Sequence, residues 1–270
     1  VRYRSSDNIV LEVECVSREN THLKKIYFEI ETFTVNKSWA LDLCEKLKIF
    51  NEGRSQKIRF GVNIRVTPGN DFTELFPAMK AAGFDFVNIG LESGSERIRR
   101  DVLKRNYSNA DIFKVTSLAK NNGLKVSFYI MIGIPDESLD DFRETIEITK
   151  KCSPDYHSLN IFFPYKGTTL YNYLDANKLL PEKFDFNNER TNVCIESPGF
   201  TKKQILHYYS WFDYYAYSQN RYEPKNYLSW FYSKIKISPL TNSLKYIMGN
   251  NRFLLNIMLK ANRLFTDKKI

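Results

Sequence analysis

The chain has 270 residues, of which 43% are hydrophobic and 15% aromatic, and its formal net charge is +9. A chain of this length and apolar content can bury a sizeable core, which excludes an intrinsically disordered protein. The sequence contains no run of about 18 apolar residues and no charged-then-apolar leader, so it predicts neither a membrane span nor a secretory signal and favours a cytoplasmic location.

Strand-like and helix-like segments alternate before about residue 200. Apolar, β-rich stretches occur at residues 24–30, 57–66, 86–91, 124–134 and 157–163. Amphipathic segments occur at about 7–19, 37–50, 72–82, 95–103, 109–122 and 138–151, with Asn36, Asp71, Ser108 and Asp136 as start signals. Strands separated by helices pair in parallel through right-handed crossovers. The pattern therefore predicts a barrel-like α/β sheet of five strands.

The third predicted strand ends in ESGS, which begins at Glu92. Ser93 or Ser95 could cap the following helix while the Glu92 carboxylate favours its positive end. Alternatively, Glu92 points into the barrel mouth and accepts hydrogen bonds from a ligand's hydroxyl or ammonium groups. Arg65, at the end of the preceding strand, would then supply a cation for a ligand carboxylate. We expect ligands at this edge because sites in parallel sheets lie at the carboxyl ends of the strands.

Basic side chains are concentrated at the end of the chain. Residues 1–200 carry 28 basic and 28 acidic side chains, whereas residues 201–270 carry 12 basic and 3 acidic ones and are rich in aromatic residues. We therefore place a domain boundary near residue 200. The extension 201–270 is expected to be helical, and residues 251–265 form a basic amphipathic helix candidate. Three roles stay open for it: a cap on the barrel, an anionic membrane surface with a lipid-like substrate, or RNA binding.

The cysteines do not have metal-ligand spacing. Cys15, Cys44, Cys152 and Cys194 lie far apart, without a CxxC pair. The sequence predicts reduced, mostly buried thiols rather than metal ligands or disulfides.

Several segments, in order, resemble one family. VNIGLESGSERIRRDVLKRNYS, GLKVSFYIMIGIPDESLDDFRETI and PDYHSLNIFFPYKGTTLYNYL are similar to the latter two-thirds of the radical S-adenosylmethionine domain. The similarity is closest to enzymes in which that domain follows a cobalamin-binding domain. RYRSSDNIVLEVECV and KKIYFEIETFTVNKSWALDLCEKL resemble the segments after the cluster loop, so the resemblance covers about residues 2–175.

The resemblance implies a partial (β/α)6 TIM-like barrel that lacks its first strand and cluster loop and carries a helical C-terminal extension. The family's CxxxCxxC loop binds a [4Fe-4S] cluster, and this sequence has no such motif. We expect a fragment of a longer enzyme that is inactive alone. A degenerate, cluster-free homologue acting as a binding module, or an RNA-modifying relative, is the alternative.

The resemblance also assigns S-adenosylmethionine contacts to Glu31, Arg65, Glu92, Ser93, Arg105, Gly133, Ile134, Pro135, Phe162, Phe163 and Pro164. Glu92 and Ser93 match the strand end that holds the cofactor's ribose and methionine, and residues 133–135 match the turn whose backbone lies against adenine. Residues 162–164 match the segment that closes over the adenine. Where the family usually has two acidic residues, Ile30 replaces one, which leaves Glu31 for the amino group.

In the intact family, an electron donor reduces the cluster and a 5′-deoxyadenosyl radical abstracts hydrogen from the substrate. Cobalamin-associated members methylate carbon or close rings. The resemblance therefore implies S-adenosylmethionine, a [4Fe-4S] cluster and cobalamin bound by an upstream domain as cofactors. The substrate would be a small or lipid-like molecule.

Overall fold

The computed structural model describes residues 3–30, 33–184, 186 and 189–217. The chain divides into two compact units, residues 1–209 and 210–270. The strands are β1 (Lys25–Phe28), β2 (Arg59–Ile64), β3 (Phe84–Glu92), β4 (Lys125–Ile132) and β5 (Tyr156–Ile161). The helices are α1 (Ser6–Glu19), α2 (Lys37–Glu52), α3 (Leu75–Ala82), α4 (Asn109–Asn121), α5 (Leu139–Cys152), α6 (Thr169–Ala176) and α7 (Lys202–Tyr217), with a π-helical turn over Ile98–Val102.

The five strands form one parallel sheet in the order β1-β2-β3-β4-β5. Every strand-to-strand connection contains a helix, as parallel pairing requires. The sheet is curled. As a result, the side chains of Tyr27 on β1 and Tyr129 on β4 both reach Asn88 on β3. The predicted partial TIM-like barrel is therefore confirmed.

Side chains that alternate along the strands point to opposite faces of the sheet, and those on one face form the apolar core. Val87, Ile89 and Leu91 of β3 are fully buried on the convex, helix-covered face, and so are Phe128 and Ile130 of β4. Polar and small residues alternate with them and face the concave side. The helices thus supply the apolar core, while the concave face stays available for a site.

Each predicted strand and its following helix is observed, with differences at the ends. The segment predicted as a helix over 95–103 is helical over residues 96–102, and Ile98–Val102 within it form a π-helical turn. Asp136 is not the start signal of α5, because Ser138 caps that helix and forms a reciprocal capping box with Asp141. Asp71 does not cap α3, which begins after Glu74 without a side-chain cap.

Two further helices follow the sheet, one that was not predicted and one in a segment that was expected to be helical. The short α6 begins after Thr168, whose side chain accepts a hydrogen bond from Tyr171 N, and it had not been predicted. The helix α7 lies in the segment expected to be helical, and its structure is described only to residue 217. In the part of the chain that the structure describes, none of the helices is long and apolar enough to cross a bilayer. The boundary near residue 200 stays a prediction.

Candidate functional site

The carboxylate of Glu92 is presented by an irregularity in β3. The register between β3 and β4 shifts between Gly90 and Glu92, and Glu92 has a φ of 60°. A Cβ atom at Gly90 would lie 2.6 Å from Glu92 Oε1, so the carboxylate occupies space that only glycine leaves free. A bulge of this kind redirects a side chain at the end of a strand. It turns Glu92 back over the concave face of the sheet.

One predicted cation contacts this carboxylate. Arg105 Nη2 lies 3.5 Å from Glu92 Oε1. Burial, together with Glu92, raises the pKa of the nearby Tyr107 phenol, whereas Arg105, Arg99 and Arg65 oppose that rise. The structure thus pairs Glu92 with Arg105, whereas Arg65 is exposed at the end of β2 and affects this region only through its charge.

A cavity of about 310 Å³ opens beside Glu92 at the ends of β4 and β5. Its walls combine aromatic and aliphatic side chains with a few polar groups, and its lining includes Tyr129, Met131, Asn160, Phe162, Phe163, Tyr165 and Arg190. Arg190 Nε donates a hydrogen bond of 2.9 Å to Tyr165 Oη at the rim. An aromatic-walled cavity with one carboxylate and one guanidinium suits a planar ring that carries polar groups.

Sequence reasoning missed most of these lining residues, among them Tyr129 and Arg190. Tyr129 stands on the concave face of the predicted fourth strand, so alternation along that strand was the signal that could have revealed it. Arg190 comes from a loop beyond β5, where its carbonyl oxygen accepts a hydrogen bond from Ile161 N. No periodicity predicts that contact.

The β4 turn, residues 133–138, is held by a buried carboxylate. Glu137 Oε2 accepts hydrogen bonds from Gly133 N at 2.7 Å and Ile134 N at 3.3 Å. Burial raises the pKa of Glu137 to about 8, although the two backbone N–H groups act against that rise. Gly133 has a φ of 76°, and Ile134 and Pro135 are buried. The turn therefore offers a fixed backbone rather than exposed side chains.

The β3 turn, residues 92–97, is equally well anchored. Ser93 is fully buried, and its carbonyl oxygen accepts a hydrogen bond of 2.5 Å from Arg99 Nη1. Ser95 Oγ lies 3.5 Å from Ile98 N, so the expected helix cap is present only as a long contact. Ser95 Oγ instead donates to Asp141 Oδ1 at 2.6 Å. The two serines chiefly anchor the turn, whereas Glu92 alone faces the cavity.

The remaining predicted residues have different positions. Phe162 and Phe163 line the cavity and are more than nine-tenths buried. Pro164 is buried just beyond them. Ile134 packs with Phe162 in a hydrophobic cluster behind the cavity. Glu31 lies outside the described residues.

A neutral polar network lies on the concave face below the cavity. Asn88 Nδ2 contacts Tyr27 Oη at 3.1 Å, Asn63 Oδ1 at 3.1 Å and Tyr129 Oη at 3.0 Å. Tyr27 Oη also donates to Asn63 Oδ1. These side chains come from four neighbouring strands, so the network joins β1 to β4 and forms a floor without charges.

A second cavity, of about 550 Å³, lies beside β1. Its lining is mostly apolar, with Ile9 and Val13 of α1, Ile26 and Phe28 of β1, and Leu43 of α2. Although it is larger, it lies away from the ends of β3, β4 and β5, where the predicted residues Glu92, Phe162 and Phe163 line the smaller cavity. We take the smaller cavity as the candidate site for that reason.

The thiols do not form a ligand set in the described residues. Cys44 and Cys152 are buried, which raises the pKa of Cys44 to about 12 and that of Cys152 to about 11. Cys194 is partly buried, but Cys15 is exposed, so the predicted burial holds for three thiols at most. Residues 3–30, 33–184, 186 and 189–217 contain no group of three His, Cys, Asp or Glu side chains that could hold a metal ion.

Comparisons with known proteins give a consistent result. The model of the Radical SAM superfamily matches residues 1–148. An uncharacterized methyltransferase of Pyrococcus horikoshii is 35% identical over 204 residues, which cover 76% of this chain and 43% of the relative. The anaerobic magnesium-protoporphyrin IX monomethyl ester cyclase of Rubrivivax gelatinosus is 23% identical over 197 residues, 73% of this chain and 34% of that protein.

Among solved structures, the cobalamin-dependent S-adenosylmethionine radical enzyme OxsB, with aqua-cobalamin bound, has a TM-score of 0.59. The sequence identity is 15%, and the alignment covers 97% of this chain and 46% of OxsB. At this identity the likeness concerns the fold. The chain spans less than half of the length of the curated relatives named above.

Proposed function

Since this chain belongs to the radical S-adenosylmethionine superfamily, we propose that its cavity beside Glu92 binds S-adenosylmethionine. The observation that best supports this proposal is the position of the Glu92 carboxylate. It lies over Gly90 and lines a cavity of about 310 Å³ that has aromatic residues in its walls. A carboxylate in this position accepts hydrogen bonds from ribose hydroxyl or ammonium groups. Phe162 and Phe163 provide apolar walls for the adenine ring.

The side chains of this chain bind and orient the cofactor. Glu92 and Arg105 form an ion pair 3.5 Å long, and Arg65 is exposed at the end of the neighbouring strand β2. We propose that the cofactor's carboxylate is bound by Arg65 or Arg105. The fixed backbone of residues 133–135 would lie against the adenine, and the aromatic wall would exclude water from the reacting carbon.

When it is bound and cleaved after reduction, S-adenosylmethionine supplies a carbon radical that removes hydrogen from a substrate. The described residues lack a ligand set for a [4Fe-4S] cluster, so no step through a cluster is assigned to them. For the whole protein we propose methyl transfer or ring formation on a small molecule, with cobalamin in an upstream domain and an external electron donor. The methyltransferase and cyclase relatives support this proposal.

The test is the affinity of the full-length protein for S-adenosylmethionine, measured by isothermal titration calorimetry. Glu92→Gln should weaken binding by about 1–3 kcal/mol, because a charge-assisted acceptor is lost in a largely buried site. Glu147→Gln removes a carboxylate of α5 that pairs with Lys150 at 2.6 Å, and it should leave the affinity unchanged. Unchanged affinity in Glu92→Gln with a lower melting temperature would support a purely structural role.

Most of the C-terminal extension, including the amphipathic candidate 251–265, lies outside the described residues, and only residues 201–217 of it are described. Membrane association and RNA binding both stay predictions. Cosedimentation with anionic and neutral vesicles, at low and high salt, would test the membrane hypothesis. Tight binding to a short tRNA-like RNA without vesicle binding would favour an RNA-modifying enzyme instead.

A further inference from the structure

One carboxylate binds both turns of the candidate site. Asp141, the third residue of α5, accepts hydrogen bonds from Ser95 Oγ at 2.6 Å and Arg97 Nη2 at 2.5 Å, both in the β3 turn. The same carboxylate accepts from Ser138 N at 2.9 Å and Ser138 Oγ at 2.6 Å, in the β4 turn. The two turns therefore share a single acceptor.

The backbone of α5 fixes the β3 turn at a second point. Gly94 N donates a hydrogen bond of 2.7 Å to Thr145 Oγ1. A Cβ atom at Gly94 would lie 2.3 Å from the Cα atom of Thr145, so the turn rests directly on the helix backbone. This close contact leaves no room for the β3 turn to move toward α5.

The Asp141 carboxylate stays ionised in this environment at neutral pH. Burial by itself would raise its pKa, but hydrogen bonds from Arg97, Ser138 and Ser95 outweigh that effect and lower the pKa to about 2. Arg97 also donates to the carbonyl oxygen of Asp136 at 2.9 Å, which adds a direct bond between the turns. The ion pair and its hydrogen bonds thus form one network across both turns.

We propose that Asp141 is a positioning residue that fixes the distance between the β3 and β4 turns and thereby sets the affinity for a ligand that contacts both. Asp141 is not among the residues that line the cavity, so it acts through Ser95 and Ser138. The inference rests on the proposed function, in which S-adenosylmethionine reaches Glu92 with its ribose and the β4 turn with its adenine. A fragment that contacts one turn does not depend on their separation.

The test compares two ligands in the full-length protein. Asp141→Asn keeps the size of the side chain but removes its charge and part of its acceptor capacity. We expect S-adenosylmethionine to bind roughly tenfold more weakly, because small misplacements of binding groups are costly. Adenine, which is proposed to contact the β4 turn and the walls formed by Phe162 and Phe163 but not the β3 turn, should keep its affinity within about twofold. Asp140→Asn is the matched control, because Asp140 is the exposed neighbour and pairs with Arg143 at 2.7 Å; it should change neither affinity.

A second variant keeps the test decisive if Asp141→Asn does not fold. Thr145→Val removes the acceptor of Gly94 N, and it should show the same split between the two ligands with a smaller loss. Equal weakening of both ligands, or an unchanged affinity for S-adenosylmethionine, would overturn the positioning role. If the wild-type protein binds adenine but not S-adenosylmethionine, the proposed function itself fails, and this inference fails with it.

Discussion

The carboxyl ends of β3 and β4 are held far more tightly than those of β1 and β2. In the β3 turn, Ser93 and Ser95 are at most 1% exposed; Ser93 O accepts a hydrogen bond from Arg99 Nη1, and Ser95 Oγ donates one to Asp141 Oδ1. At the ends of β1 and β2, Glu29 and Arg65 are exposed. Both regions are polar in sequence, but they differ in burial. This difference indicates that the β3 and β4 turns are rigid, whereas the exposed ends of β1 and β2 are less constrained.

The largest expected difference in stability between the two regions comes from removing one cation from each of them. Arg99 is fully buried, stacks on the ring of Tyr107 at 4.9 Å, and donates to Ser93 O and to Asn109 Oδ1. Arg99→Met should lower the free energy of unfolding by about 4 kcal/mol, because several buried acceptors lose their donor. Arg65→Met should change it by less than about 0.5 kcal/mol, since surface substitutions usually do little.

Urea denaturation followed by circular dichroism measures both variants. Equal losses in Arg99→Met and Arg65→Met would show that the two ends of the sheet do not differ in rigidity.

The second prediction concerns the pH dependence of stability, to which the buried Glu137 of the β4 turn contributes. The pKa of Glu137 is raised from its usual value near 4.5 to about 8 by burial. Because the folded protein retains this proton longer than the unfolded chain, the stability contribution is fully present below about pH 4.5 and is lost as the pH rises toward 8. In Glu137→Gln this decline should be smaller by about 3 kcal/mol between those limits.

Thermal or urea denaturation at half-unit pH intervals gives the required slopes. Parallel slopes for Glu137→Gln and the wild type would mean that Glu137 titrates normally and that the β4 turn is more hydrated than its burial indicates.

The smallest expected effect concerns the contact between the β3 turn and α5. Gly94→Ala should lower the free energy of unfolding by about 2 kcal/mol, because the added methyl group overlaps the backbone of Thr145. Gly53→Ala is the control, since its nearest neighbour would be Phe50 O at 3.9 Å. The difference between the two variants in chemical denaturation measures how closely the turn rests on the helix. A Gly94→Ala variant as stable as Gly53→Ala would contradict the tight contact.

The sequence does not reveal most of the difference in rigidity between the β3 and β4 turns and the ends of β1 and β2. Apolar alternation predicted all five strands, because it reflects burial of one face and needs only local information. Ser108 was predicted as a helix start for a similar reason, and its capping box with Asp111 is observed. Ser138 was missed in favour of Asp136, since both are good capping residues and the choice depends on a backbone that turns at Asp136 with a φ of 61°.

The candidate site was predicted only in part. Glu92 and Phe163 line the cavity; the position of Glu92 at a strand end was sufficient to suggest it, whereas Phe163 was suggested by the family resemblance. Arg190 and Asp141 were not suggested, because their roles come from contacts across 25 or more positions of the chain: Arg190 with Tyr165, and Asp141 with Ser95. Sequence spacing carries no information on such contacts.

By itself the sequence determined the class of fold, the order of strands and helices, and the strand ends at which polar residues occur, because hydrophobic periodicity and capping are local properties. The tertiary structure alone decided which polar residues meet. The bulge at Gly90 turned Glu92 toward the cavity, and packing on α5 made Asp141 the shared acceptor of two turns. The physical reason is that side-chain direction and burial depend on neighbours brought together by folding, and these set both the charge state of Glu137 and the rigidity of the site.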